Sequence, residues 1–240
     1  MTADGWTSAV RHQLGLGRLL PLGGPRDGAW ITEAAAEAVL RRAVRTVPGV
    51  RLGTLRLGPA DPEAEFESVV PAPPSGLAPG PLRMTAECAA GPSEPLPAAA
   101  SRLRDALAAA AADRLGLAVS EVDLRVTALL DENPEPDPEQ SPGPVPAGPG
   151  LTGDESLAAA AALSVPGVTG TSGVLGRAVR IEEHQDTTAA TAALPHRHAR
   201  VEITAAADRR TLDVTHAVRT AVADALPDHP TVAVLVTAVG

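Results

Sequence analysis

The sequence predicts an α+β protein built from two similar two-layer α/β units, each a small, mainly antiparallel sheet covered by two helices. Three observations carry this prediction. The first is the stretch 96–130, where Leu96, Leu103, Leu107, Ala111 and Leu115 recur at helical spacing. Gly116 then offers a stop, and the period changes to two. Val122, Leu124, Val126 and Ala128 alternate there with Asp123, Arg125 and Thr127. A one-faced helix and a one-faced strand must hide their apolar sides against each other or against equivalent neighbours. The second observation is the return of this helix-then-strand order over residues 212–239. The third is the run DENPEPDPEQSPGPVPAGPG at 131–150, whose prolines, acids and glycines deny it a helix or an apolar face and mark it as a solvated spacer.

These observations set the expected organisation. Residues 1–27 form an irregular Gly-rich arm, 28–130 a first unit, 131–150 a linker and 151–240 a second unit. In the first unit, residues 31–47 read as a helix with Thr32 as its amino cap. Its buried stripe runs through Ala35, Val39, Leu40, Ala43, Val44 and Val47. Pro48-Gly49 ends it, and an imperfectly alternating strand, interrupted at Gly53, follows over 50–57. The apolar end of 61–70 is a further strand candidate, 71–81 is a Pro/Gly loop, and Leu82, Met84, Ala86 and Cys88 fall in strand register. In the second unit, Thr152 and Glu155 fit a capping box before a short Ala-rich helix. Val179 and Ile181 mark a brief strand, and Val201 and Ile203 another. Leu212, Val218, Val222 and Leu226 line a helix. The last strand, 232–239, is apolar on both faces, so it is central or covered on both sides.

Composition narrows the function. Hydrophobic residues make up 44% of the 240, yet Trp6, Trp30 and Phe66 are the only Trp, Phe or Tyr residues. The core must come from Ala, Val and Leu, which favours close helix–sheet packing and leaves few rings to stack bases or sugars. A net charge of -9 argues against a dedicated nucleic-acid binder. The single cysteine, Cys88, rules out an intrachain disulfide and cannot build a zinc cluster alone. No long apolar run suggests a membrane span, and Gly15, Gly17 and Pro21 break any signal-type hydrophobic core. Cytoplasmic residence is the expectation.

The two halves share the order helix, Val-Pro-Gly-Val, one or two strands, a further strand, a second helix and a final strand. Val-Pro-Gly-Val occurs at 47–50 and again at 165–168, and RMTAECAA at 83–90 parallels VEITAAA at 201–207. This is an internal duplication. At these positions the chain resembles the alkaline-shock protein 23 (Gls24) family associated with envelope stress. The likeness continues through Gly170 and Gly173, and through Gly116, Leu117, Val119, Val122, Leu124 and Val126. The chain is a divergent tandem where the family members considered carry one such domain. It has a Pro-rich insertion at 71–81, lacks the Gly-Leu turn in the second half, and shows the Ala/Pro bias of a GC-rich, actinobacterial type of genome. The resemblance implies a non-enzymatic cytoplasmic scaffold or adaptor in envelope-stress or cell-envelope homeostasis. It implies self-association, or docking to a membrane-anchored envelope protein that holds the chain at the inner face of the membrane. Edge strands of the two sheets are candidate contact surfaces.

No catalytic, cofactor or metal site is expected. The concentrated basic region, Arg41, Arg42, Arg45, Arg51 and Arg56, is the candidate interaction patch, for acidic headgroups, RNA or an acidic protein. Nucleic-acid binding there is the alternative function. A metal-dependent enzyme around His196 and His198 is the remaining alternative, since i and i+2 on a strand face one way. It would need further ligands such as His184, Asp186 or His216. Ser164, Ser172 and Cys88 lack a nucleophile-elbow context, and Gly170–Gly176 reads as a tight turn rather than an anion loop.

Overall fold

A computed structural model describes residues 17–64, 66–130, 150–151, 153–184 and 196–240. Among them it shows four helices and nine strands in two sheets. The first unit runs α1 (Glu33–Val44), β3 (Val50–Pro59), β4 (Leu82–Ala90), α2 (Leu96–Ala109, continued by a π-helical turn Ala110–Leu115) and β5 (Val119–Leu129). The second runs α3 (Asp154–Leu163), β6 (Val168–Thr171), β7 (Val179–His184), β8 (His196–Ala205), α4 (Thr211–Ala225) and β9 (Thr231–Val239). Two strands precede both, β1 (Leu19–Leu22) and β2 (Ala29–Thr32).

The likeness of the two units extends to individual backbone bonds. In each unit the central strand pairs antiparallel with the strand after the first helix and parallel with the final strand. β4 stands between β3 and β5 as β8 stands between β6–β7 and β9. Both parallel ladders slip by one residue near their ends, after Cys88 opposite Val126 and after Ile203 opposite Val236. The amide of Gly91 bonds the Gly49 carbonyl, as that of Ala206 bonds Gly167. Leu130 bonds Ala90 as Gly240 bonds Ala205. The repeated glycines of Val-Pro-Gly-Val both have positive φ, 71° at Gly49 and 101° at Gly167, so the repeat preserves one turn.

The sequence reading holds for most elements. Thr32 caps α1, its Oγ1 accepting from the Ala35 amide at 3.2 Å. Leu82, Met84, Ala86, Cys88 and Ala90 are buried in register on β4. Gly53 marks a register shift in β3. The strand β9 is both central and covered on two faces: Val232, Val234 and Val236 join the helix-side core, while Ala233 and Leu235 pack with Leu19, Trp30 and Val70 behind the sheet.

The amino-terminal segment departs from expectation. Leu19–Leu22 is a strand rather than part of an irregular arm. It hairpins onto β2, which pairs parallel with β9, Trp30 opposite Leu235. The boundary expected at residue 28 therefore does not separate the sheets, because residues before and after it build the second unit's sheet. Pro21 obscured this: a proline cannot donate to a central ladder, but β1 is an edge strand. Two local readings also differ. The described residues of 61–70 form no strand, and Val168–Thr171, read as part of a turn region, is one. The Thr152 cap, residues 1–16, most of the linker and the connection 185–195 lie outside the described residues.

The two units share one core, which includes Leu40, Leu57, Leu103 and Leu115 together with Val218, Val234 and Val236. They approach closely at Gly116, with φ 85°, where a β-carbon would stand 2.5 Å from Leu212 Cβ. Gly116→Ala is expected to lower unfolding free energy by about 3 kcal/mol, from left-handed strain plus overpacking. Gly49→Ala, equally left-handed but with its nearest neighbour at 3.5 Å, should cost only about 1–2 kcal/mol. Urea midpoints of the two variants check this; equal losses would show that the Leu212 contact is not limiting.

Candidate interaction surface

The two sheets differ in how they are covered, and that difference defines the surface. Behind the six-stranded sheet, loop 60–81 crosses over from the first unit. Trp30 Nε1 donates to the Leu77 carbonyl at 3.0 Å, the Leu77 amide to Leu19 at 2.9 Å and the Val69 amide to Pro25 at 3.1 Å. Trp30 is thereby held at 1% exposure. Among the described residues, the three-stranded sheet β3-β4-β5 has helices on one face only. Its other face carries exposed Thr54 and Arg56, Arg83 and Thr85, and Glu121, Asp123 and Arg125. A shallow groove of about 430 Å³ runs across it, lined by Thr54, Arg56, Thr85, Glu87, Asp123 and Arg125. Arg83 lies between Asp123 at 2.6 Å and Glu121 at 3.2 Å. The hydrogen bond to Asp123, followed by the charges of Asp123 and Glu121, raises its already high pKa.

The edges of this sheet differ too. On β3, the backbone groups are held by α1: Glu33 accepts from the Leu57 amide at 3.3 Å, and Arg41 donates to the carbonyls of Leu52 at 3.3 Å and Gly53 at 2.6 Å. The parallel strand β5 has no strand on its outer side among the described residues. Arg104 Nε reaches the Val122 carbonyl there at 3.2 Å. In the second unit the equivalent edge, that of β9, is taken by β2. The consequence shows in burial: β9 is almost wholly enclosed, whereas Val126 is 37% and Leu129 72% exposed.

The five arginines singled out in the sequence are divided. Arg41 is anchored to Glu37 and the β3 carbonyls, and Arg42 and Arg45 are exposed on and just after α1. Arg51 and Arg56 lie on β3, and Arg56 lines the outer groove with Glu87 and Asp123. The groove is thus of mixed charge. His198 Nδ1 is 2.8 Å from Thr231 Oγ1, and His216 Nε2 is 3.0 Å from Asp27 on the β1–β2 turn. His196 stands opposite His184 in the β7–β8 register. Asp186 lies outside the described residues. Among the described residues no group of three or more His, Cys, Asp or Glu side chains is placed to hold a metal. A second shallow cleft, of about 350 Å³, gathers Asp154, Glu155, Glu182 and Glu183, but Arg197 stands among them and binds Asp154 at 2.6 Å and Asp228 at 3.1 Å.

One buried polar cluster escaped the sequence reading. Glu202 on β8 is 0% exposed behind the six-stranded sheet. The Leu175 amide donates to its carboxylate at 3.2 Å, and Ser172 Oγ lies 3.4 Å away. Thr237 Oγ1 donates to Ser172 Oγ at 2.9 Å, and Arg200 stands 3.9 Å from the carboxylate. The alternation of Arg200, Glu202 and Thr204 reads as a solvent face because nothing local announces that residues 172–175 fold over it. Burial pushes the Glu202 carboxyl above the usual range, outweighing the Leu175 amide and the Arg200 charge. The carboxyl is sealed from substrate, so it belongs to the fold rather than to chemistry.

Fold and surface together define a class: an α+β protein of two like units in which, among the described residues, one sheet is enclosed and the other is open on a face and an edge. No protein-family model, curated protein or solved structure matches the chain.

The Glu202 cluster makes a pH test. Because the folded carboxyl holds its proton more tightly than the unfolded one, the stability it contributes is complete at acid pH. It is lost as pH rises from the ordinary carboxylate range through the raised folded value. Relative to Glu202→Gln, the protein should lose stability over that interval; denaturation midpoints that stay parallel for the two proteins would contradict the assignment.

Proposed function

We propose that this protein is a non-enzymatic adaptor that works through protein–protein contacts made by the open three-stranded sheet. The observation that supports this reading is the unequal treatment of two like sheets. Among the described residues, the chain covers the back and outer edge of one with its own hairpin and loop, and leaves both open on the other. An exposed sheet edge offers main-chain hydrogen bonds to an incoming strand, and the neighbouring side chains set specificity. The mixed charge of the groove, with Arg56, Glu87, Asp123 and Arg125 together, suits a protein partner better than a polyanion, whose binding rests on a run of cations.

The resemblance to the alkaline-shock protein 23 family supplies the setting: envelope stress or cell-envelope homeostasis, in the cytoplasm, through self-association or a membrane-anchored partner. Among the described residues no helix is long and apolar enough to cross a membrane, which accords with contact to the envelope through a partner.

Proximity labelling in native cells, comparing the full chain with a Thr54→Arg/Thr85→Arg variant, tests the reading. Both threonines are exposed on the groove, so the fold should be kept, as circular dichroism would verify. The labelled set should include envelope proteins and should lose them in the variant. An unchanged set, or one without envelope proteins, would overturn the proposal.

A further inference from the structure

The β5 edge carries a pattern that selects its own occupant. The Leu82 amide bonds the Ala118 carbonyl, so just before β5 the even-numbered residues turn their backbone groups toward β4. The register then slips by one residue between the Leu82–Val119 and Arg83–Glu121 pairs. Beyond the slip the roles exchange: Glu121, Asp123 and Arg125 bond to β4, and Val122, Leu124 and Val126 turn amide and carbonyl to the open side. The Arg104 guanidinium on the Val122 carbonyl lies on that side. Between the slips the side chains alternate as well. Val122, Leu124 and Val126 face the helices opposite Met84, Ala86 and Cys88, while Glu121, Asp123 and Arg125 face outward opposite Arg83, Thr85 and Glu87.

A second copy of β5 laid antiparallel against this edge must keep like faces together, so only residues of the same parity can stand opposite each other. Centring the two-fold axis on Asp123 or Arg125 would set like charges face to face. Centring it on Leu124 sets each Asp123 against the other copy's Arg125, Val122 against Val126 and Leu124 against itself. The outward-turned backbone groups of Val122, Leu124 and Val126 then form the hydrogen-bonded pairs. Asp123 and Arg125 fall in the non-bonded pairs, where side chains approach most closely. Of these three registers, the one centred on Leu124 satisfies charge, face and backbone together.

We infer that the protein forms a two-fold symmetric dimer through antiparallel β5–β5 pairing centred on Leu124, joining two three-stranded sheets into one of six strands. This rests on the adaptor reading and names its self-association surface. Dimerisation displaces Arg104 from the Val122 carbonyl, which then accepts from the second copy's Val126 amide. Arg104 is exposed, so the exchange requires only a side-chain movement. The dimer also covers the edge beside Val126.

Charge exchange between two variants of the full chain tests the register. Arg125→Asp and Asp123→Arg each turn both cross-strand pairs repulsive, so each alone should weaken the dimer by roughly tenfold to a hundredfold in analytical ultracentrifugation. Mixed, they restore opposite charges at both pairs and should return a dimer of near wild-type affinity. Circular dichroism should show both variants folded. In oxidising buffer, Asp123→Cys mixed with Arg125→Cys should cross-link, while neither alone should, because residues two positions out of step lie beyond disulfide reach. A wild-type chain that stays monomeric at high micromolar concentration would overturn the inference, as would a dimer indifferent to both charge changes. Either result, together with sheet-dependent labelling in cells, would leave the adaptor reading in place with another protein at the edge. A register-specific dimer whose cellular labelling ignored the groove would do the reverse.

Discussion

The parallel pairing of β2 with β9 is the constraint on which the rest of the structure depends. It places residues from the beginning of the described chain inside the sheet built near its end, beside Val234, Leu235 and Val236. Because α1 follows β2 directly, that pairing also sets where α1 starts. Thr32 caps the helix and donates to the Thr237 carbonyl at 3.3 Å, and Glu33, in the first turn, accepts from Arg18 and Leu57 amides. One helix terminus thus ties both sheets. The loop after β3 is then in reach of the rear of the larger sheet, where it encloses Trp30. In a core made chiefly of Ala, Val and Leu, the Trp30 indole is the largest of the fully buried side chains described.

The same constraint explains why two duplicated units have different surroundings. Their ladders, slips and turns match, yet among the described residues β9 has a neighbour and a rear cover while β5 has neither. Symmetry of sequence therefore does not give symmetry of exposure. The open surface is defined by what the first unit gives to the second and does not receive in return.

How much of this was legible in the sequence follows from the range of each interaction. Leu82, Met84, Ala86 and Cys88 announce a half-buried strand because their neighbours alternate with them, and Thr32 announces a helix start one residue ahead. Those are local signals. The Val-Pro-Gly-Val repeat revealed the duplication because both copies need the same turn. The hairpin 19–32 was not legible: Leu19, Leu20 and Leu22 surround a proline, and β9, the strand on which β2 docks the hairpin, is remote in sequence. Glu202 was missed for the same reason, since the residues that seal it belong to a separate loop. The five arginines were grouped by their nearness in sequence, but a helix, a turn and a bulged strand distribute them over different parts of the unit.

The separation between Thr32 and Thr237, 205 residues, has a consequence for synthesis. The larger sheet cannot close until β9 has left the ribosome, so Trp30 and the apolar face of β2 wait without their permanent neighbour while the residues between them are made. Long-range parallel pairing of this kind is slow and open to association while incomplete. A nascent chain of this protein should therefore be a client of the cell's chaperones until its final strand is made.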